Sequence, residues 1–505
     1  MGEVRHLLVD ARPVDHPTAR NRGVGQYTLG LLSGLQLVGA PVVALYESDT
    51  EAELLEAAVP DLTLERLNPA TVRRYVVPDS WYLATQLMLH PIPLDPVPRL
   101  VTDAGLPVAA VLYDVIPERY PEQYQVRPQA RAQVQLRGTL TRTLDALLAI
   151  SQFAGDTAAD ELRFPSARIR VIGAGVDSAF RSAGMPAWPR LAGVLADDAR
   201  KVVLMVSGAD ARKNTGRMLA AWSLVDPEVR AAHRLVVVAA VNDSQRSQWQ
   251  QWANDARITD SVTFTGGVTD DQMVALHQVA TLAIMPSTEE GFGLPVLEAA
   301  ACGCPVIVSN VSSLPEVLSE PAAEFDPFDT ASIARAVDRA LADAVHREVL
   351  LAAGRRAVQR WTWANTGQAV MDSLAQLGPR QHRELRPPER RVALVGRFDE
   401  SENGLANTAL ADALRALPTA PELHLLVDND GGAQPIVSTP LRFPARALGR
   451  SVHRSLFDEI VVLETISPGR RRAKAPSHSS LELSSDAVSD ATGLLVWLGM
   501  ADEPN

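Results

Sequence analysis

Short apolar runs alternate along the chain with stretches whose apolar positions recur every three or four residues. The first pattern predicts buried strands and the second predicts helices with one packed face. Strands are expected over His6–Val9, Pro41–Tyr46, Pro107–Leu112, Ala146–Ile150 and Arg168–Ile172. A helix is expected over Gln26–Leu37, after a glycine-containing loop, and another after Ser151, a good N-cap residue. A second series follows. Strands are expected at Val202–Val206, Leu235–Ala240, Val262–Phe264, Leu282–Met285 and Val306–Ser309, and helices over Asn214–Leu224, Ser244–Ala256, Asp270–Gln278 and Pro295–Cys302. Strand–helix alternation of this kind predicts α/β architecture with parallel sheets covered on both faces.

The pattern breaks twice. Residues 175–195 are rich in Pro, Gly and Ala without a clear period, and LGPRQHRELRPPERR (377–391) is charged and proline-containing. Both predict linkers. The expected organisation is a Rossmann-like domain over residues 1–180, a second over 181–378, a linker over 379–391 and a partial α/β segment over 392–505. That last segment echoes the start of the chain: a strand at Val392–Val395, Asn403-Gly404-Leu405, a helix and a strand at Leu423–Val427. Its Ser- and Arg-rich stretch 467–490 is expected to be loose, with a strand-like Leu494–Leu498 near the end. Two such domains in tandem predict a ligand site beyond the C-terminal ends of the strands, in the cleft between them.

Composition narrows the function classes. The 505 residues are 46% hydrophobic and 21% charged, ordinary for a globular protein, with a formal net charge of −12. That balance argues against nucleic-acid binding as the main task. The two cysteines, Cys302 and Cys304, are separated by one residue, too tight for a relaxed bridge, and predict no disulfide framework. The N-terminal MGEVRHLLVDARP does not read as a signal peptide, and LVVVAAV (235–241) is far below the ~20 residues of a membrane span. A cytoplasmic protein is expected, with room for peripheral contact at the inner face of the cell membrane.

The most informative stretch is PSTEEGFGLPVLEAAACGCP (286–305). Glu290 stands in a loop after a strand, Pro295 suits the first turn of a helix, and Gly303-Cys304-Pro305 stops it. The Gly291-Phe292-Gly293 turn lets backbone approach a ligand, and the free N–H groups at the helix start favour an anion such as phosphate. Glu290 and Glu298, with seven residues between them, can each accept from the hydroxyls of a vicinal diol. Together these features suit a nucleotide-sugar. A solvated surface helix explains either glutamate alone, but explains the whole stretch less well.

E-G-F-G-L-P-x-x-E, followed by A-x-A-x-G-x-P-V-I-x-S, resembles the Glu-x7-Glu signature of glycosyltransferase family 4. The resemblance covers roughly residues 5–375. It implies the GT-B fold, two Rossmann-like domains facing a cleft, and retaining sugar transfer. It also implies that Glu290 contacts donor-sugar hydroxyls and Glu298 the nucleotide ribose, with Gly291, Phe292, Gly293 and Leu294 forming the donor-binding turn. Further positions agree. Arg212-Lys213-Asn214 follows a strand and corresponds to the family's cationic R-K-N or R-K-G run at the donor diphosphate. Lys213 carries over directly and Arg212 less so, because some members place an additional Arg where Ser207 and Gly208 stand here. Gly23 and Gly25, in Arg22-Gly23-Val24-Gly25-Gln26-Tyr27, match a cleft-facing loop. Read instead as a dinucleotide G-x-G-x-x-G, that run fails at Thr28. Tyr113-Asp114 stands where many members have His-Asp. A tyrosine is a poor base near neutral pH, which puts a His-dependent step in doubt, while Asp114 retains its place as a sugar-hydroxyl ligand. Trp361-Thr362-Trp363 begins a helix that in the family crosses back to the first domain.

No carboxylate stands out as a covalent nucleophile. The resemblance implies a same-face route in which the leaving diphosphate helps deprotonate the acceptor and no metal is needed. The only Asp-x-Asp pair, Asp428 and Asp430, lies outside the two-domain unit. No cofactor is expected beyond the nucleotide-sugar co-substrate, with GDP-mannose the first candidate and UDP- or dTDP-sugars the others. The closest flavour of the resemblance is to bacterial mannosyltransferase-like enzymes of surface polysaccharide, including O-antigen, with a glycan or lipid-linked acceptor. Two alternatives remain: a GT-B-type sugar-nucleotide epimerase or hydrolase, and a non-catalytic scaffold in polysaccharide assembly.

Overall fold

A computed structural model describes residues 3–15, 23–88, 96–126, 128–181, 187–195, 200–378, 391–396, 422–427, 459–467, 470–474 and 481–483. Three sheets are present. The first has seven strands: β1 (His6–Asp10), β2 (Val42–Tyr46), β3 (Thr63–Arg66), β4 (Ser80–Ala84), β5 (Val108–Leu112), β6 (Ala146–Ala149) and β7 (Ile169–Val171). Their order is β3-β2-β1-β4-β5-β6-β7, and the pairs β1–β2, β4–β5 and β6–β7 run parallel. The second has six: β8 (Lys201–Val206), β9 (His233–Val238), β10 (Val262–Gly266), β11 (Ala280–Met285), β12 (Val306–Ser309) and β13 (Glu324–Phe325). Its order is β10-β9-β8-β11-β12-β13, parallel at every pairing. Strands sandwiched between helices read as unbroken apolar runs, and Val202–Met205 and Leu235–Val238 are buried accordingly. Both sheets are the Rossmann-like sheets expected of the GT-B fold.

The third sheet, described by itself, contains β14 (Arg391–Gly396), β15 (Glu422–Val427), β16 (Glu459–Ser467), β17 (Arg470–Lys474) and β18 (Leu481–Leu483), in the order β15-β14-β16-β17-β18. β14 pairs parallel with β15, as an echo of the chain's opening predicts. The stretch expected to be loose contains β17, which pairs antiparallel with β16, and β18, which pairs antiparallel with β17. Serine and arginine content alone misread it, because a hairpin edge tolerates polar residues. Asn403-Gly404-Leu405, Asp428, Asp430 and Leu494–Leu498 lie outside the described residues.

The chain divides into two compact units. One holds residues 1–65, 111–115 and 147–377, and with them every sequence-predicted site residue. The other holds residues 66–110 and 116–146 and the described part of 378–505. In the second unit Arg137, 1% exposed, is paired with Glu118 at 2.5–2.8 Å and donates to the carbonyl of Met88.

Within the first unit, the helix Trp363–Leu377 packs on the helix Gly23–Leu37. Glycines make the approach. A Cβ on Gly34 would lie 2.0 Å from the carbonyl oxygen of Trp363, and one on Gly367 would lie 2.5 Å from that of Gly34. Gly30 and Gly175 abut Trp363 in the same way. Tyr27 completes the contact, edge-on to Trp363 at 5.0 Å and donating to the carbonyl of Gly173 at 2.6 Å. The crossing helix expected at Trp361-Thr362-Trp363 is therefore present.

Candidate active site

In the six-stranded sheet the strand order reverses direction between β8 and β11. Open parallel sheets bind ligands at such a switch point, where the loops leaving adjacent strands part to opposite faces. The loop after β8 carries Arg212 and Lys213, and the loop after β11 carries Glu290. The two loops are joined by backbone as well, because Thr288 donates its N–H to the carbonyl of Arg212 at 2.8 Å.

Residues 211–213 form a single 3₁₀ turn, capped by Asp210, whose carboxylate accepts from the Arg212 N–H at 3.1 Å. Asn214 then adopts a left-handed conformation (φ 61°) before the helix Thr215–Leu224 begins. Its buried amide donates to the carbonyls of Pro286 (3.0 Å) and Pro327 (2.8 Å), tying this turn to the loop after β11. That tie aims both cations at one carboxylate. Lys213 Nζ reaches Glu290 Oε1 at 2.6 Å, and Arg212 Nη1 reaches Glu290 Oε2 at 2.8 Å. Arg212 also donates to the Glu289 carbonyl and, through Nε, to Asp210.

The electrostatics follow from this geometry. Burial alone would raise the Glu290 pKa, but Lys213 and Arg212 outweigh it and hold the carboxyl at about 2. Burial works against the Arg212 charge as well, and the carboxylates of Glu290, Asp210 and Asp114 more than offset it, raising its pKa. Glu290 and Arg212 therefore stay ionised at neutral pH.

The loop backbone is held from several sides. Glu290 N–H donates to Ser312 Oγ, and Ser313 Oγ donates to the carbonyls of Glu290 and Phe292. Ser151, the expected N-cap, does two jobs. It accepts from Ala154 N–H and donates to the carbonyl of Gly291 at 2.6 Å. A Cβ on Gly291 would sit 2.1 Å from the carbonyl oxygen of Tyr113, so this glycine permits a backbone approach to the end of β5. Gly293 takes a positive φ of 101° and sits against Leu314. Leu294 and Pro295 then open the helix Leu294–Ala301, as expected. Phe292 is buried edge-on against Trp361.

The remaining candidates fall on three sides of this cluster. Asp114 is close enough to bias the Arg212 charge. Tyr113 is buried, edge-on to Tyr27 at 5.2 Å, and its burial raises the phenol pKa further from any basic role. Glu298 lies in the helix, partly exposed, with Oε2 3.7 Å from Nε2 of the buried His277. Gly23–Gly25, expected in a loop before Gln26, are instead helical and stand in the first turn of the helix Gly23–Leu37, while residues 16–22 lie outside the described residues. Two glycines there cost propensity, and tertiary packing of Tyr27 and Leu31 overrides it. The link from this turn to the cluster is indirect, through Tyr27 and Tyr113. The sequence assigns no role to Ser312, Ser313 and Asp210, and names Asn214 only as the end of the R-K-N run, because groups that hold backbone carry no spacing signal. Among the described residues, no three His, Cys, Asp or Glu side chains gather as a metal cage, and no helix is long and apolar enough to cross a membrane.

Comparison with known proteins agrees with this geometry. Residues 192–357 match the family model of the glycosyl transferases group 1. The chain is 31% identical over 239 residues to the serotype-specific mannosyltransferase WbdA of Escherichia coli, a match covering 46% of this chain and 29% of WbdA. It is 33% identical over 162 residues to the O-antigen chain mannosyltransferase B of the same organism, covering 32% of this chain and 42% of that protein. The chain thus spans less than half the length of these curated relatives. Among solved structures, Anabaena Alr3699/HepE in complex with UDP and glucose superposes with a TM-score of 0.56 at 16% identity, over 74% of this chain and all of that one. Residues 192–357 are a glycosyltransferase group 1 domain, in a chain that has the paired parallel sheets of the GT-B fold.

Proposed function

We propose that the protein transfers a hexosyl group, mannose first among candidates, from a nucleoside-diphosphate sugar to a hydroxyl of a glycan or lipid-linked acceptor, as a metal-independent retaining enzyme of family 4. The observation that carries this reading is the convergence of Arg212, Lys213 and Glu290 at the β8/β11 switch point, beside the start of the helix Leu294–Ala301. Two cations next to a helix start suit a diphosphate. A carboxylate held at about 2 stays an acceptor for sugar hydroxyls across the physiological range. The similarity to the mannosyltransferase WbdA and to the O-antigen chain mannosyltransferase favours mannose, and the likeness to HepE in complex with UDP and glucose favours a nucleotide donor.

In the proposed reaction the anomeric carbon–phosphate oxygen bond breaks and a carbon–oxygen bond to the acceptor forms on the same face. The acceptor proton passes to the departing phosphate. Arg212 and Lys213 stabilise the charge that develops on the diphosphate, Glu290 and Asp114 orient the sugar, and Glu298 holds the ribose. The donor-binding Gly23, Gly25, Tyr113 and Gly291–Leu294 shape its walls. The domain organisation proposed with it is 1–180, 181–378 and a partial unit from 392, in a cytoplasmic protein working near the inner membrane face.

The test is release of nucleoside diphosphate from a panel of GDP-, UDP- and dTDP-sugars, with chelator present, by the wild type and by Glu290→Ala and Lys213→Ala. Release from one donor that both variants abolish is expected and names the donor. An altered sugar nucleotide with no diphosphate freed would point to an epimerase. No release, with no thermal stabilisation by any nucleotide, would leave a scaffold.

A further inference from the structure

A groove of about 550 Å³ lies between the helices Thr215–Leu224 and Asp243–Asp255. It shares the Asp210–Lys213 turn with the site described above. The turn gives Arg212 and Lys213 to Glu290, and its Gly208–Ala211 edge to the groove. Its volume is in the ordinary range of small-molecule sites, roughly 300–1,000 Å³.

The lining has a specific chemistry. Trp252 is 39% exposed and its indole lies over Gly216, where a Cβ would come within 3.2–3.4 Å of the ring. Trp249 is buried beneath, against Phe264. Gly216 and Ala220 leave the floor open. Polar residues line the groove together with the indole: the exposed Gln248, and Arg217, Asp210 and Thr330. Gln245 is fixed by donating to the carbonyl of Ala209 at 3.0 Å, and Arg217 by donating to Asn214 Oδ1 at 2.9 Å. An exposed indole offers a flat apolar face to the C–H face of a sugar ring. Amides and charges of both signs suit hydroxyls, which donate and accept alike. The lining carries one carboxylate, Asp210, and one guanidinium, Arg217, so neither charge dominates and a neutral polyol suits it.

We infer that this groove is a second carbohydrate-binding site, taking a neutral hexose unit of a glycan by stacking on Trp252, distinct from the donor site at Glu290, which is not part of its lining. The site stands without the transfer reaction: a chain with no transferase activity would still bind glycan here. On a transferase, it holds the growing glycan near the site that extends it.

The test is affinity electrophoresis of the full chain through native gels containing mannan, dextran or galactan. Trp252→Ala, Gln248→Ala and Glu290→Ala run beside the wild type, with thermal melts as the folding control. The expected result is retardation of wild type by at least one neutral polysaccharide. Trp252→Ala should weaken it by about tenfold or more in apparent Kd, and Gln248→Ala by less. Glu290→Ala should be retarded like wild type while losing diphosphate release, which separates failure of this site from failure of the proposed reaction. No retardation in any gel would overturn the inference. So would retardation lost in Glu290→Ala and kept in Trp252→Ala, which would place the glycan in the donor site.

Discussion

Replacing Gly291 by alanine tests the construction of the candidate site without knowledge of its substrate. The new Cβ would stand 2.1 Å from the carbonyl oxygen of Tyr113 and 3.2 Å from Asp114 Cβ. An ordinary carbon–oxygen contact is about 3.3 Å or more, so the loop and the end of β5 must separate by about 1 Å. Neither partner is a flexible side-chain tip: one is strand-end backbone, and the other is a loop pinned by Ser151, Ser312 and Ser313. Overpacking of this kind costs about 1–3 kcal/mol. Losing the Ser151–Gly291 hydrogen bond adds about 1 kcal/mol. For a unit of this size the sum lowers Tm by about 4–8 °C. Because the same loop carries Glu290, a shift of about 1 Å should also cost on the order of 10²-fold in turnover. The assays are a thermal melt and diphosphate release. Gly208→Ala, whose Cβ would meet nothing within 4 Å, is the control and should melt like wild type. A Gly291→Ala protein with unchanged Tm and unchanged turnover would refute the close approach.

Other predictions follow from the same contacts. Glu290→Gln leaves Arg212 and Lys213 facing a neutral amide, and breaking a buried pair costs about 3–5 kcal/mol at most, less here because both cations are partly exposed. The folded-state pKa of Glu290 is depressed from 4.5 to about 2, so its stabilisation is complete above pH 4.5 and fades as pH falls toward 2. The Tm gap between wild type and Glu290→Gln should therefore shrink across that window, and a pH-independent gap would contradict the pairing. Gly34→Ala drives a Cβ to 2.0 Å from the Trp363 carbonyl and should destabilise by about 1–3 kcal/mol, read by denaturant unfolding. Equal stability would mean that the two helices do not cross there. Lys213→Arg keeps the charge but not the compact ammonium that meets Oε1 at 2.6 Å, and should retain more diphosphate release than Lys213→Ala.

Much of the fold was legible because buried parallel strands announce themselves. Val202–Val206 is apolar throughout, and Val306–Ser309 is apolar up to its final serine. β4 was missed: Ser80-Trp-Tyr-Leu-Ala mixes a serine and two aromatics and shows no aliphatic run, though all five residues are buried. β13 is two residues long, too short for any period. At the site, Glu290, Lys213 and Gly291 were legible through their motif, and the structure joins the first two directly. What the sequence did not disclose was the choice of partner. Arg212 and Lys213 were read against a diphosphate, and the structure shows both on Glu290. Nor did it disclose the serines that hold the loop, since their work is done through backbone atoms 21–23 residues away.

The helix crossing has a consequence for synthesis on the ribosome. The glycine face of Gly23–Leu37 has no side chains at Gly30 and Gly34 and is completed only by Trp363 and its helix. At roughly 5–20 residues per second, the chain between Leu37 and Leu377 takes about 20–70 s to emerge. For that interval the helix can pack on β2 and on the turn Arg12–Val14, but its glycine seam waits on the last helix of the same unit. The unit therefore closes late and from both ends together, and a fragment stopping short of Trp363 would leave its first helix with an unfilled seam.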